Sequence, residues 1–162
     1  MIEGVKLIPL QTHLDERGFF REVLRVSDIE QFGQWSHSVM YTDTIKAFHI
    51  HQIQTDYWYV PVGVVKAVLA DLRKEPNLIR QSFSGNISDW QVSSYFDCKE
   101  YILGDNQFPQ ILVIPPCVAH GLKVLQGPAH LFYITSHTYN PKDEGRIPYD
   151  SLGYDWFKQD IK

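Results

Sequence analysis

The sequence is short of the features that would send it to nucleic acid, to a membrane or to an oxidising compartment. Cysteine is scarce: the 162 residues hold two, Cys98 and Cys117, far apart, which excludes a disulfide framework and a CxxC redox or zinc motif. No apolar run approaches the roughly 20 residues that a membrane helix needs. Basic charge is not in excess, because 15 Lys and Arg face 19 Asp and Glu, and the net charge of −4 leaves no nucleic-acid footprint. Residues Met1 to His13 lack a basic segment followed by an apolar core, so no secretory leader is expected. Repeats, low-complexity tracts and linkers are absent too. A single domain over residues 1–162 is expected, in the cytoplasm, without nucleic-acid or membrane partners.

Helix signals are equally few. Ser27-Asp28 before Ile29 to Phe32 reads as an N-cap and one turn, stopped at Gly33. The rest is short apolar or alternating runs between Gly/Pro turns: Met1–Leu10, Phe19–Val26, Ser36–Tyr41, Ala47–Gln52, Tyr57–Val62, Val64–Leu72, Trp90–Phe96, Gln110–Ile114, His120–Leu125 and His130–Ser136. Val64–Leu72 is so uniformly apolar that burial on both faces is expected. Arg73 to Asn77 and the tail after Pro141 read as irregular. Many short strands with almost no helix predict an all-β fold, either an antiparallel barrel or a double-sheet jelly roll. Aromatic residues make up 14% of the chain, a supply expected in core and dimer interface rather than in a ligand cavity.

Chemistry concentrates in Phe48 to Gly63. His49 and His51 are two residues apart, so on a strand both imidazoles point to one face. Asp56 follows after four residues and Gly63 after six more. A second histidine-bearing stretch, Pro115-Pro116-Cys117-Val118-Ala119-His120, lies far downstream. Two readings compete. A histidine near pKa 6.5 can serve as a general base at neutral pH. Alternatively His49, His51, Asp56 and His120 form a ligand set for a divalent metal such as Fe, Mn, Zn or Ni.

Both stretches resemble the two motifs of the cupin superfamily, with Asp56 for the usual glutamate and Cys117 for a glycine. That resemblance implies a cupin-type double-stranded jelly-roll barrel with little helix. A narrower one covers most of the chain. Asp15-Glu16-Arg17-Gly18-Phe19-Phe20-Arg21-Glu22, Lys46-Ala47-Phe48-His49, Gly63 through Asp71-Leu72-Arg73, Ile114-Pro115 through His120-Gly121, and Tyr133 through Tyr139-Asn140-Pro141 occur in one order. This order resembles the dTDP-4-dehydrorhamnose 3,5-epimerase family. The resemblance implies His49 as general base and Tyr139 as general acid. It implies Arg17 at the nucleotide diphosphate, Phe20 and Glu22 around the base from a partner subunit of a homodimer, and His120 and Tyr133 lining the pocket. Lys46 stands where that family has an arginine; His51 and Asp56 are further candidate substrate contacts. No cofactor is implied, the divalent metal remaining the alternative.

Three departures stand out. Asp56 occupies the position of a lysine that stabilises an enolate, Ala67 that of an aspartate, and the chain ends six residues after Trp156, short of the aspartate that orients the base. The expected activity is epimerisation, at C3, C5 or both, of a nucleotide-linked 4-keto-6-deoxy sugar for bacterial surface polysaccharide such as O-antigen. A metal-dependent cupin enzyme and a nucleotide-sugar-binding protein without catalysis are the alternatives.

Overall fold

The structure is a computed structural model that describes residues 1–85, 90, 96–105 and 109–158. Strand β1 (Lys6–Pro9) is followed by a hairpin of β2 (His13–Asp15) and β3 (Gly18–Phe20), a 3-10 turn at Val26–Asp28, and strands β4 (Gln34–Met40) and β5 (Ile45–Ile50). The long strand β6 (Asp56–Asp71) leads to helix α1 (Pro76–Ser82), then β7 (Lys99–Leu103), β8 (Gln110–Ile114), the long β9 (Val118–Thr135) and the short β10 (Gly145–Arg146). No helix among the described residues is long and apolar enough to cross a membrane.

The all-β character with little helix is met, but the barrel is not. The strands form an open eight-stranded sheet in the order β1-β8-β6-β9-β5-β10, with β4 added on β9 and β7 on β6, beside the separate β2-β3 hairpin. Closure needs the terminal strands to pair with each other; among the described residues β1 and β10 remain the two ends of the path. The expected jelly-roll barrel is therefore corrected to an open antiparallel sheet. Alternating apolar patterns say which face of a strand is buried, and carry no information on which edges meet.

Two expected strand pairs are single strands. The run through Gly63 continues as β6, and the run through Gln126-Gly127-Pro128 continues as β9. Register shifts between Tyr59 and Val65 absorb the glycine without ending the pairing. These two strands pair from Asp56↔Thr135 to Asp71↔Val118 and form the backbone of the sheet. Other expectations also shift. The run Phe19–Val26 leaves the sheet after Phe20, because Arg21 turns inward to Asp105 and to the Tyr59 hydroxyl at 3.0 Å. Helix α1, with Pro76 in its first turn, occupies what read as the end of a loop. The expected strand Trp90–Phe96 lies mostly outside the described residues.

The apolar run of β6 is buried on both faces, as its composition requires. Ala67 and Leu69 join one core cluster with Trp58, Leu112 and Leu122, whereas Val68 and Ala70 join a second with Phe48, Ile50 and Trp156. Phe48 is 1% exposed and its ring lies 5.3 Å from that of Trp156. Burying Phe48 and Ile50 in the second cluster sends the alternate residue His49 to the opposite face of β5.

The approach of β5 to β9 requires a glycine. A Cβ on Gly121 would lie 2.3 Å from that of Ala47, far inside contact distance, so the two backbones meet only where no side chain intervenes. Gly121→Ala is expected to cost about 1–3 kcal/mol through overpacking. It should lower the urea midpoint at an unchanged m-value, and an unmoved midpoint would show that β5 yields at no cost.

Candidate active site

One cavity of about 260 Å³ gathers most of the chemistry-bearing residues. Its apolar floor comes from the first core cluster, including Trp58, Leu122 and Leu131. On β5 and β9, His49 and His120 are directly opposed in the antiparallel register, so their imidazoles share a face, with ring centroids 6.4 Å apart. His51 lies just past the end of β5, its ring 5.6 Å from that of His120. Asp56 opens β6, and the indole of Trp58 stands edge-on to His120 at 5.4 Å. Lys46, Tyr133 and Tyr139 also line this space. Lys46 donates from Nζ to Ser38 Oγ at 3.0 Å, and the Tyr139 amide is held by Gln34 Oε1 at 2.7 Å.

The polar groups are individually anchored. Asp56 is 5% exposed; its carboxylate accepts from Gln54 Nε2 at 2.7 Å and from Trp58 Nε1 at 3.2 Å. Two donors offset part of the desolvation that a buried carboxylate incurs. His51 donates from Nδ1 to the Asp143 carbonyl at 2.6 Å, and His120 donates from Nδ1 to the Val118 carbonyl at 3.0 Å. A carbonyl can only accept, so in both rings Nδ1 carries the proton and Nε2 is left for the cavity.

The residues that reading the sequence missed are Asp143 and Glu144. Glu144 Oε1 lies 3.3 Å from His49 Nδ1, and Arg146 holds the same carboxylate at 2.7 Å. They arrive through β10, whose Gly145 and Arg146 pair with Ile50 and His49. A Cβ on Gly145 would lie 2.7 Å from Ile50 Cγ2 and from Ser82 Oγ, so only glycine lets this strand seat. Reading the sequence found no acid to match the one that orients the base in the family; the structure places Glu144 beside His49, from within the tail that read as irregular. The signal in the sequence was a charged Asp-Glu-Gly-Arg turn after Asn140-Pro141, which carries no periodicity. Ala67, by contrast, is wholly buried core with no polar role.

The structure does not bring Arg17, Phe20 and Glu22 into this cavity. They lie on or beside the β2-β3 hairpin, all exposed or half-exposed, with Arg17 paired to Asp15 at 2.5 Å and Glu22 to Arg25.

Burial, the largest influence on His49, lowers its pKa below 6.5; Glu144 opposes this and the Arg146 guanidinium adds to it. His120 is pushed down to about 4 by burial, against the raising effect of Asp56. Both imidazoles are therefore neutral at pH 7, each with a lone pair able to accept a proton or bind a cation.

The expectation of no cofactor is also corrected. One ligand atom from each of His51, Asp56 and His120 lies within 4.8 Å of the others, a grouping able to hold a metal ion. His49, a member of the four-ligand alternative, is outside it and pairs with Glu144 instead.

The model of the dTDP-4-dehydrorhamnose 3,5-epimerase family matches residues 1–162. The chain belongs to that family. Its relatives include the spore coat polysaccharide biosynthesis protein SpsL of Bacillus subtilis, 40% identical over 96% of this chain and 97% of that protein. Among solved structures, a dTDP sugar isomerase from Desulfovibrio desulfuricans superposes with a TM-score of 0.79 at 25% identity, over 98% of this chain and 94% of that one. The epimerase of Legionella pneumophila, solved with dTDP-4-keto-L-rhamnose, gives 0.74 at 26% identity over 96% and 79%.

Because Glu144 raises the pKa of His49, removing its charge must lower it. Glu144→Gln is expected to move the NMR titration midpoint of the His49 ring to lower pH, and a midpoint that stays or rises would show that the pair is not coupled.

Proposed function

We propose that this protein is an epimerase of a nucleotide-linked 4-keto-6-deoxy sugar, inverting C3, C5 or both, in the cytoplasmic assembly of a surface polysaccharide. The observation that carries this reading is the neutral His49, backed at Nδ1 by Glu144, in a cavity that also holds Tyr139. Family membership and the likeness to a structure holding dTDP-4-keto-L-rhamnose support the substrate class.

The chemistry follows from the ketone, which acidifies the C–H bonds on either side of it. His49 Nε2 takes the proton, the C–H electron pair becomes a carbon–carbon double bond, and the carbonyl pair moves to oxygen as an enolate. Tyr139 returns a proton to the opposite face of the same carbon, and the ketone re-forms with inverted configuration. Glu144 fixes the imidazole tautomer and stabilises the imidazolium that forms, the role a carboxylate plays behind any catalytic histidine. Lys46 and the metal-capable cluster are the groups placed to face negative charge on oxygen.

In this reading one catalytic domain works as a homodimer. The exposed hairpin carrying Arg17, Phe20 and Glu22 reaches toward the nucleotide in the partner's cavity, which accounts for aromatic side chains in the open, Phe19 at 58% and Phe20 at 63% exposure.

Incubation with a dTDP-linked 4-keto-6-deoxy sugar in D2O tests the proposal. Deuterium should enter at C3, C5 or both, and His49→Asn should abolish it while dTDP still binds by calorimetry. Binding of dTDP with no exchange on any 4-keto substrate would identify a binding protein instead. The acidic limb of kcat/KM should fall below pH 6.5, since burial depresses the base; a limb above 6.5 would remove His49 from that role.

A further inference from the structure

We propose that His51, Asp56 and His120 bind a divalent first-row metal ion through two imidazole Nε2 atoms and one carboxylate, beside the base His49 and facing the sugar's ketone oxygen. This role for the ion rests on the epimerase reading; the site itself does not.

The arrangement of partners behind the ligands makes the case. Both Nδ1 atoms are committed to backbone carbonyls, Asp143 for His51 and Val118 for His120, so both Nε2 lone pairs are presented together. Such carbonyl-held imidazoles are the usual outer support of a metal site, because they set the tautomer and hold the ring in place. The third member is an anion: Asp56 Oδ2 faces His120 Nε2 at 3.7 Å, too far for a hydrogen bond and with electron pairs on both sides. Two acceptors meeting inside a nearly fully buried space call for a cation between them. Behind His51, Asp143 Oδ2 is buried and has no hydrogen-bond partner, 4.0 Å from His51 Nδ1. A carboxylate in that place makes the imidazole a stronger ligand.

Two imidazoles and one carboxylate suit Zn²⁺, Fe²⁺, Co²⁺, Ni²⁺ or Mn²⁺ and leave coordination positions open for a substrate oxygen. Ligand atoms bound at about 2.1 Å lie about 3.0–3.4 Å apart at octahedral or tetrahedral angles. The present grouping within 4.8 Å closes on an ion by side-chain movements of about 1–2 Å. The ion also answers an electrostatic difficulty of the reaction. An enolate forming over Asp56 would meet a like charge, whereas a divalent cation held by Asp56 reverses the sign of the local field. His49 stays outside the cluster and free to move protons.

Untagged full-length protein, stripped with chelator and titrated with Co²⁺, tests the site without any substrate. About one Co²⁺ per chain should bind with visible d–d bands, and His51→Ala, shown folded by circular dichroism, should weaken binding by at least about 100-fold, the most that losing an outer partner alone costs. His49→Asn should bind Co²⁺ unchanged. No stoichiometric binding by the wild-type chain, or binding undiminished in both His51→Ala and Asp56→Asn, overturns the site. Deuterium exchange separates the two proposals. Full-rate exchange by metal-free protein removes the ion from the reaction and leaves the epimerase standing; metal-loaded protein that binds dTDP but never exchanges removes the epimerase and leaves the site.

Discussion

The antiparallel pairing of β9 with β5 on one side and β6 on the other is the constraint from which the cavity follows. Without it His120 would not stand opposite His49, and Asp56 would not come to the same space from the start of β6. The approach at Gly121 and Ala47 lets β5 lie down on β9, and the burial of Phe48 against Trp156 decides which face of β5 looks into the cavity. Packing on the far side of the sheet thus orients His49 on the near side.

Within the cavity, two neighbouring histidines sit in different environments set by different neighbours. His49 is partly open to solvent and has Glu144 at one nitrogen, so burial lowers its basicity while the carboxylate restores some of it. His120 is enclosed, tied to a backbone carbonyl and faced by Asp56, which suits it to donate a lone pair rather than exchange a proton. The division follows a general rule: environments that push like groups apart assign them separate roles.

Family membership and chain-specific chemistry coexist. The DERGFF hairpin, the Lys-Ala-Phe-His strand and the Ala-His-Gly segment of β9 stand in a chain of this family, beside a buried Asp56. Asp56 has two donors, two histidines come within reach, and Glu144, just before β10, stands beside His49. A buried carboxylate cannot stand alone, and Asp56 is surrounded accordingly.

Local physics made much of this readable from the sequence. Alternation and apolar runs identified β4, β5, β8 and the burial of β6 on both faces; residue spacing expected His49 and His51 on one strand face, whereas β5 ends at Ile50 and His51 follows it. These are properties of nearest neighbours along the chain, so one sequence suffices. Sheet closure, the continuity of β6 and β9 through Gly63 and Gly127, and the seating of Glu144 beside His49 depend on which edges meet. Edge pairing is decided by long-range packing and by close backbone approaches such as those at Gly121 and Gly145. A turn such as Asp143-Glu144-Gly145-Arg146 carries no periodic signal of its destination. The sequence by itself determined most strands and the core, and marked His49, His51, Asp56 and His120 as the residues to watch. Tertiary structure alone decided which carboxylate stands beside His49, and that His51, Asp56 and His120 converge, because those relations join residues that only the folded sheet makes neighbours.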